Sequence, residues 1–189
     1  SMAMQKKFGQ NFLINANART KLAESLDLQE GMKVWEVGPG LGALTTEILK
    51  RKANLTAFEI DRGFVSFLQE EIQLLYKDTF EIVSGDVLKT WKDYYAKNGK
   101  PDRFFGNLPY NVAAAMVADM ISEEVRFPRA VITVQKEVAM RMAAKPGTED
   151  YSSFSVLCQW AYDISTITDL SGGCFWPKPN VDSRSVLMV

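Results

Sequence analysis

Lys33-Val34-Trp35-Glu36-Val37-Gly38-Pro39-Gly40-Leu41-Gly42-Ala43-Leu44 is the stretch on which the fold turns. Its first part, KVWEV, reads as a short buried strand. Glycines at 38, 40 and 42 break that strand, and Leu41, Leu44, Ile48 and Leu49 then recur near helical spacing over residues 41–51. Strand, tight glycine turn and helix follow one another without a spacer. Where Cβ atoms are absent a ligand can approach the backbone, with amides at the helix start facing it. A nucleotide is the natural guest of such a turn.

Outward from this unit the same alternation continues. Residues 54–60 (NLTAFEI) read as a second strand, 62–76 as a helix carrying Phe64, Phe67, Leu68 and Leu75, and 80–83 as a third strand running into Ser84-Gly85-Asp86. Residues 102–106 (DRFFG) give a fourth strand, 112–121 an Ala- and Met-rich helix and 129–134 (RAVITV) a fifth strand followed by a helix. Residues 152–162 look helical, 164–170 have strand character, and 185–189 close with another strand. Strands joined by crossover helices imply an α/β fold with a mostly parallel sheet, helices on both faces and ligands at the carboxyl ends of the strands. Polar turns at 97–101 and 144–148 do not amount to linkers, so one domain is expected.

Composition narrows the classes. The chain has 189 residues, 47% apolar and 24% charged, enough to bury a core without disulfides or metals. The longest membrane-span candidate, 112–121, is short and interrupted by Asp119, and the first residues lack a secretory apolar region. With only Cys158 and Cys174, a reducing cytoplasm and no metal site are expected. The absence of histidine removes Ser-His and Cys-His nucleophiles and His-ligated zinc. A balance of 22 basic against 23 acidic residues gives no bulk signal for nucleic acid.

Read as G-x-G-x-x-A ending at Ala43, the loop also fits a dinucleotide fingerprint, with Glu59 about 20 residues on to accept ribose hydroxyls. The loop by itself therefore leaves both NAD and S-adenosylmethionine open. A bare packing turn and a solvated Glu59 are the plainer alternatives. Asp86 is placed to accept from an adenine amine while Val87 covers the ring; its alternative is a helix N-cap for the segment from Leu88. Asn107-Leu108-Pro109-Tyr110, directly after the fourth strand, suits methylation of an exocyclic amine, whose lone pair is delocalised into its ring. The Asn107 side-chain oxygen and the Leu108 carbonyl would accept the amine hydrogens and favour a pyramidal nitrogen. Pro109 stiffens the turn, and Tyr110 offers a stacking face for a flipped-out base. The alternative is an ordinary Asn-x-Pro turn with a core tyrosine.

Taken together, these motifs resemble the ribosomal RNA adenine N6-dimethyltransferase family, small-subunit type, along nearly the whole chain. The segments that carry the resemblance begin with Phe8-Gly9-Gln10-Asn11-Phe12-Leu13, Glu36 through Thr45, Glu59-Ile60-Asp61 and Gly85-Asp86-Val87-Leu88. Asn107-Leu108-Pro109-Tyr110-Asn111, Gln135-Lys136-Glu137-Val138-Ala139 and Phe175-Trp176-Pro177-Lys178-Pro179-Asn180-Val181-Asp182-Ser183 complete the set. The resemblance implies a class I S-adenosylmethionine-dependent methyltransferase, Rossmann-like, with a seven-stranded sheet, six strands parallel and the last inserted antiparallel. It implies that Gln10, Asn11 and Leu13 close over the methionine end of S-adenosylmethionine above Gly38, Gly40 and Gly42. Glu59 and Ile60 would lie at the ribose, Asp86 and Val87 at the cofactor adenine, and Asn107 at both cofactor and substrate. Asn107, Leu108, Pro109, Tyr110 and Phe175 would frame the target adenine.

The activity so implied is dimethylation of N6 on two neighbouring adenosines near the 3′ end of small-subunit ribosomal RNA, within a pre-assembled small ribosomal subunit, by a cytoplasmic monomer acting in ribosome biogenesis. The sister family acting on large-subunit RNA in macrolide resistance shares several motifs, but Pro39 and Leu41 tilt the loop toward the small-subunit type. A noncatalytic RNA-binding assembly factor on the same fold is the rival from another class. Residues 1–189 would form one catalytic domain with 1–31 as an N-terminal cap. The small helical domain that follows in the family is absent; Ser1-Met2-Ala3 reads as a tag scar and the chain stops inside a strand, so a piece of a longer protein is expected. Lys6, Lys7, Arg19 and Lys21, with Arg126, Arg129, Lys136, Arg141 and Lys145, are candidates for a basic rim. Met116, Met120, Met140 and Met142 read as packing residues, and both cysteines as inert thiols.

Overall fold

The computed structural model describes residues 12–189. In chain order the elements are β1 (Phe12–Leu13), α1 (Ala16–Ser25), β2 (Lys33–Val37), α2 (Ala43–Lys50), β3 (Asn54–Glu59), α3 (Arg62–Glu71), β4 (Phe80–Ser84), α4 (Val87–Asn98) and β5 (Arg103–Asn107). They continue with α5 (Tyr110–Ser122), β6 (Ala130–Gln135), α6 (Lys136–Met142), α7 (Ser153–Ala161), β7 (Ile164–Leu170), β8 (Phe175–Trp176) and β9 (Ser183–Met188). Seven strands form one sheet in the order β4-β3-β2-β5-β6-β9-β7, and β1 and β8 form a separate antiparallel pair. The first five strands of that order pair in parallel; β9 is antiparallel to both β6 and β7, so β7 runs with the rest and only β9 is reversed. The expected architecture, six strands one way and the last inserted against them, is what the chain adopts.

Period-2 alternation sorts the core. Neighbours in one strand point to opposite faces, so Val34, Phe105 and Val131 pack on one side with Leu22 of α1, Ile48 of α2 and Leu68 of α3. Trp35, Phe104 and Ile132 pack on the other with Trp91 of α4, Met116 of α5 and Phe154 of α7. Phe104 stacks on Phe127 with ring centroids 4.7 Å apart, and Trp35 meets Phe58, Tyr94 and Phe127 edge-on. Met116, Met120 and Met142 are buried packing residues as expected, while Met140 is exposed.

Register levels the strand ends. Val37 lies opposite Phe58 on one side and Gly106 on the other, Glu59 opposite Ser84, and Asn107 opposite Thr133. The residues following β2, β3, β4 and β5 therefore open on one edge of the sheet. Several boundaries differ from the sequence expectation for local reasons. Gly42 sits at φ 81°, so α2 starts at Ala43 rather than at residue 41. The Asp102 carboxylate accepts the Lys33 amide at 2.9 Å instead of entering the strand, which moves β5 one residue on, to end at Asn107. Pro109, extended at φ −67° and ψ 158°, lets α5 begin at Tyr110, two residues before the expected start. Strand pairs on both sides of β9 extend it back to Ser183. Helix α1 and the β1–β8 pair were not expected as separate elements, and α4 is the helix that the alternative reading of Asp86 allowed.

Candidate active site

The glycine loop is a chain of left-handed residues: Gly38, Gly40 and Gly42 have φ of 71°, 58° and 81°. At Gly42 a Cβ would stand 2.3 Å from Ile72 Cδ1 and 3.2 Å from Leu68 Cδ2, so glycine here lets α2 pack against α3. At Gly38 a Cβ would lie 3.5 Å from the Asn107 carbonyl oxygen, which brings the loop into contact distance of the turn after β5. The amides of the three glycines themselves are bonded within the fold. Gly38 N–H donates to the Phe58 carbonyl at 3.0 Å, Gly40 N–H to Glu59 Oε1 at 3.1 Å and Gly42 N–H to the Pro39 carbonyl at 2.9 Å. The three glycine donors are thus spent, and at these positions the turn offers a ligand a surface without Cβ atoms.

Glu59 is the fixed point of this loop. It is 3% exposed, its Oε1 accepts from Gly40 and its Oε2 from the Asp61 amide at 3.0 Å. Burial pushes its carboxyl above the usual range against these two hydrogen bonds, which lower it, and the neighbouring Asp61 charge adds to the rise. A solvated strand-end charge it is not. The Ile60 amide also lowers the Glu59 carboxyl, so three backbone amides face a carboxylate that has about four acceptor positions.

A second buried acid lies beside it, one that sequence reasoning quoted but gave no role. Glu36 is 2% exposed and accepts from the Thr45 hydroxyl at 2.6 Å. Burial pushes it up to about 7; the Thr45 bond opposes the shift and the Glu59 charge reinforces it. A glutamate in a hydrophobic strand, with threonine nine residues later on the following helix, was the available signal.

Asp86 N-caps α4, its Oδ1 accepting from Leu88 N–H at 3.0 Å. The plainer alternative from sequence is thus realised, and Oδ2 has no hydrogen-bond partner among the described residues, so the cap does not exhaust the carboxylate. Val87 is buried beneath it, and Ile60 is 65% exposed beside Glu59.

After β5, Leu108 N–H is pinned to the Thr133 carbonyl at 2.9 Å and the Pro109 carbonyl accepts from Ala113 N–H at 3.0 Å. Leu108 is buried, whereas Asn107, Pro109 and Tyr110 are exposed. A fixed turn thus presents an amide side chain and an aromatic ring to the outside. One continuous cleft of about 820 Å³ joins these parts, lined by Leu13, Gly38, Gly40, Gly42, Glu59, Ile60, Asp86, Val87, Asn107, Leu108, Pro109 and Phe175. Phe175, 5% exposed, walls the cleft from β8. Tyr110 stands outside this lining, against Phe154. Gln10 and Asn11, like Lys6 and Lys7, lie outside the described residues.

The candidate basic rim divides. Arg126 and Arg129 precede β6 and lie at the amino end of the sheet, away from the cleft; Arg129 Nε donates to the Ser25 carbonyl at 2.8 Å and Arg126 to that of Ala161 at 3.2 Å. Strand direction puts them there, because the cleft opens where β6 ends. Lys136, just past that end, pairs with Asp169 at 3.6 Å, and Arg19 lines the cleft. The Cys158 thiol is pushed up to about 12 by burial, in keeping with an inert packing residue. Among the described residues no helix is long and apolar enough to cross a membrane.

A seven-stranded sheet with one reversed strand, and a glycine loop and acidic strand ends opening on one cleft, define a class I methyltransferase fold rather than an all-parallel dinucleotide domain. An O-methyltransferase from Streptomyces achromogenes, TomG, solved in complex with SAM, superposes with a TM-score of 0.66 at 16% identity over 98% of this chain and 85% of its own. The ribosomal RNA adenine dimethylase family matches residues 2–189, and the chain belongs to that family. The ribosomal RNA small subunit methyltransferase A of Treponema denticola is 48% identical over 98% of this chain and 63% of its own length. That of Treponema pallidum is 42% identical over 99% of this chain and 64% of its own. The chain therefore spans a little under two thirds of these curated relatives. Of solved structures, a dimethyladenosine transferase from Plasmodium falciparum superposes with a TM-score of 0.81 at 27% identity, covering 94% of this chain and 62% of that one. The 23S rRNA methyltransferase ErmE gives 0.71 at 27% identity, covering 94% and 68%.

Proposed function

We propose that this chain is the catalytic domain of a ribosomal RNA adenine dimethyltransferase, one that places two methyl groups on N6 of each of two adjacent adenosines near the 3′ end of small-subunit RNA. The observation that carries the reading is the approach of Gly38 to the Asn107 carbonyl, with 3.5 Å to a Cβ at position 38. It sets a cofactor-type loop directly beside a turn whose exposed groups suit an aromatic amine. Family membership and the small-subunit methyltransferase relatives support the choice of substrate.

The cleft has the chemistry to take S-adenosylmethionine. Gly38 and Gly40 leave room for its methionine end, together with Leu13 and, as the sequence implies, Gln10 and Asn11. Glu59 has an acceptor position left for the ribose diol, and Ile60 and Val87 offer apolar cover. The uncommitted Oδ2 of Asp86 suits the adenine amine. When bound, S-adenosylmethionine would supply an electrophilic methyl carbon on its sulfonium. The chain's own work is to receive and orient the amine. Asn107 Oδ1 and the Leu108 carbonyl accept its hydrogens and hold the lone pair out of the ring plane; Pro109 keeps the turn fixed, and Tyr110 and Phe175 confine the base. The substrate is RNA in a pre-assembled small ribosomal subunit, bound by a cytoplasmic monomer in which residues 1–189 are one catalytic domain with 1–31 as its N-terminal cap segment.

Transfer of labelled methyl from S-adenosylmethionine to unmethylated small subunits, with large subunits as the parallel substrate, tests this. Label in N6,N6-dimethyladenosine of the small-subunit RNA is the expected result. Label only in large-subunit RNA would move the chain to the other branch, and binding of cofactor without transfer to either would favour an assembly factor.

A further inference from the structure

Arg141 of α6 was expected only as a rim charge, yet it lies over the ring of Tyr110, its guanidinium carbon 4.4 Å from the ring centroid. The same ring meets Phe154 of α7 in a T-shaped contact, centroids 5.4 Å apart and planes at 69°. Arg141 is held there from several sides. Its backbone carbonyl accepts the Ser155 hydroxyl, and Ser155 with Ser152 forms the capping box that starts α7. One of its terminal nitrogens lies 3.8 Å from the Glu137 carboxylate, which is mostly exposed. Its Nε is buried without a hydrogen-bond acceptor among the described residues, while the face of the same guanidinium lies over the tyrosine ring. A planar guanidinium stacks on an aromatic face in this way, and the attraction strengthens where water is excluded.

We infer that Arg141 is a positioning residue for Tyr110: with Phe154 it fixes the angle of the ring on which the target base stacks, and it acts through that ring rather than by gripping an RNA phosphate. The inference rests on the reading that Tyr110 receives the base. Tyr110 is 36% exposed, which leaves surface for a purine on a ring already backed by a cation. A ring free to swing would still admit the base but would seldom hold its amine in line for transfer, a loss that falls on the rate and not on cofactor affinity.

A double-mutant cycle tests this with the 189-residue chain. Arg141→Met, which keeps the apolar stem, and Arg141→Lys are made in the wild-type and Tyr110→Ala backgrounds. The readouts are the single-turnover rate on unmethylated small subunits, KM, cofactor affinity by calorimetry, and quenching of 2-aminopurine placed at the target position of an RNA hairpin. Arg141→Met should slow transfer by about tenfold with KM and cofactor affinity within about twofold of wild type, and should weaken the quenching. In the Tyr110→Ala background the same change should cost nothing further in either readout. Lysine, a compact charge without a planar fork, should recover less than half of the loss. Additive losses, or full rescue by lysine with a weakened salt dependence, would make Arg141 a phosphate contact and overturn the inference while leaving the function intact. A wild-type chain that methylates no RNA would instead overturn the function itself.

Discussion

Glu59 Oε1 accepts the amide proton of Gly40 at 3.1 Å, and Oε2 that of Asp61 at 3.0 Å, so the acid assigned to the cofactor also holds the shape of the loop that receives it. Glu59→Ala should weaken S-adenosylmethionine binding by roughly 10- to 100-fold, through lost ribose contacts and a loosened loop. It should also lower stability, because two backbone amides are left without an acceptor at about 1–3 kcal/mol each. Calorimetry and denaturant unfolding report the two effects separately. An unchanged dissociation constant would remove Glu59 from the cofactor site.

Asn107 is exposed at the end of β5 and its side chain is not committed to the core. Asn107→Ala should therefore leave stability near wild type and cofactor affinity within a few-fold, while methyl transfer falls by on the order of 100-fold, as for the loss of one preorganised polar group. A collapse of cofactor binding with the rate constant preserved would place Asn107 in the cofactor pocket alone.

Much of this site was legible because strand ends and glycine turns leave local marks. Lys33–Val37 and Ile164–Leu170 read correctly to the residue, the first as an apolar run closed by Gly38 and the second as a stretch rich in β-branched Ile and Thr. The position of Glu59, Asp86 and Asn107 on one edge followed from parallel pairing alone. What stayed hidden depended on distant partners. Helix α1 has no strong amphipathic pattern and is held by side chains far along the chain, such as Arg129, which is 104 residues from the Ser25 carbonyl it binds. The pairing of Phe12 with Trp176 likewise leaves no mark in either segment. The amide bookkeeping of the glycine loop and the Arg141–Tyr110 stack are products of tertiary geometry, and no spacing rule announces them.

Gly106, the residue before Asn107, supports the site by what it lacks. A Cβ there would stand 2.9 Å from Leu108 Cδ2 and 3.0 Å from Leu108 Cγ. Because Leu108 is buried and its amide is pinned to Thr133, the added methyl must push the turn rather than a loose side-chain tip. Gly106→Ala is expected to cost about 1–3 kcal/mol in stability and to reduce kcat by more than it raises the cofactor dissociation constant. Melting curves together with steady-state kinetics decide this; a variant with wild-type kcat would show that the turn tolerates the shift.

Glu36 makes the fold sensitive to pH in a stated direction. Its carboxyl is pushed from 4.5 up to about 7 by burial, with Thr45 opposing the shift and Glu59 adding to it. Between these values the unfolded chain has lost the Glu36 proton and the folded chain keeps it. Stability linked to this group is therefore fully present below about pH 4.5 and is lost as pH rises toward 7. The loss is on the order of 3 kcal/mol if the group acts alone. Glu59, also raised, contributes with the same sign, so replacing Glu36 should reduce the slope without abolishing it. The Arg184 guanidinium holds Asp169 below its usual range and therefore acts in the opposite sense, but only at more acid pH. Glu36→Gln keeps an oxygen for the Thr45 hydroxyl and removes the charge. Denaturant unfolding of the ligand-free chain at pH 5, 6, 7 and 8 should show the variant matching wild type near pH 5 and exceeding it at pH 8. Parallel curves would mean that Glu36 is ionised in the folded chain across this range and that water or a rearranged partner reaches it.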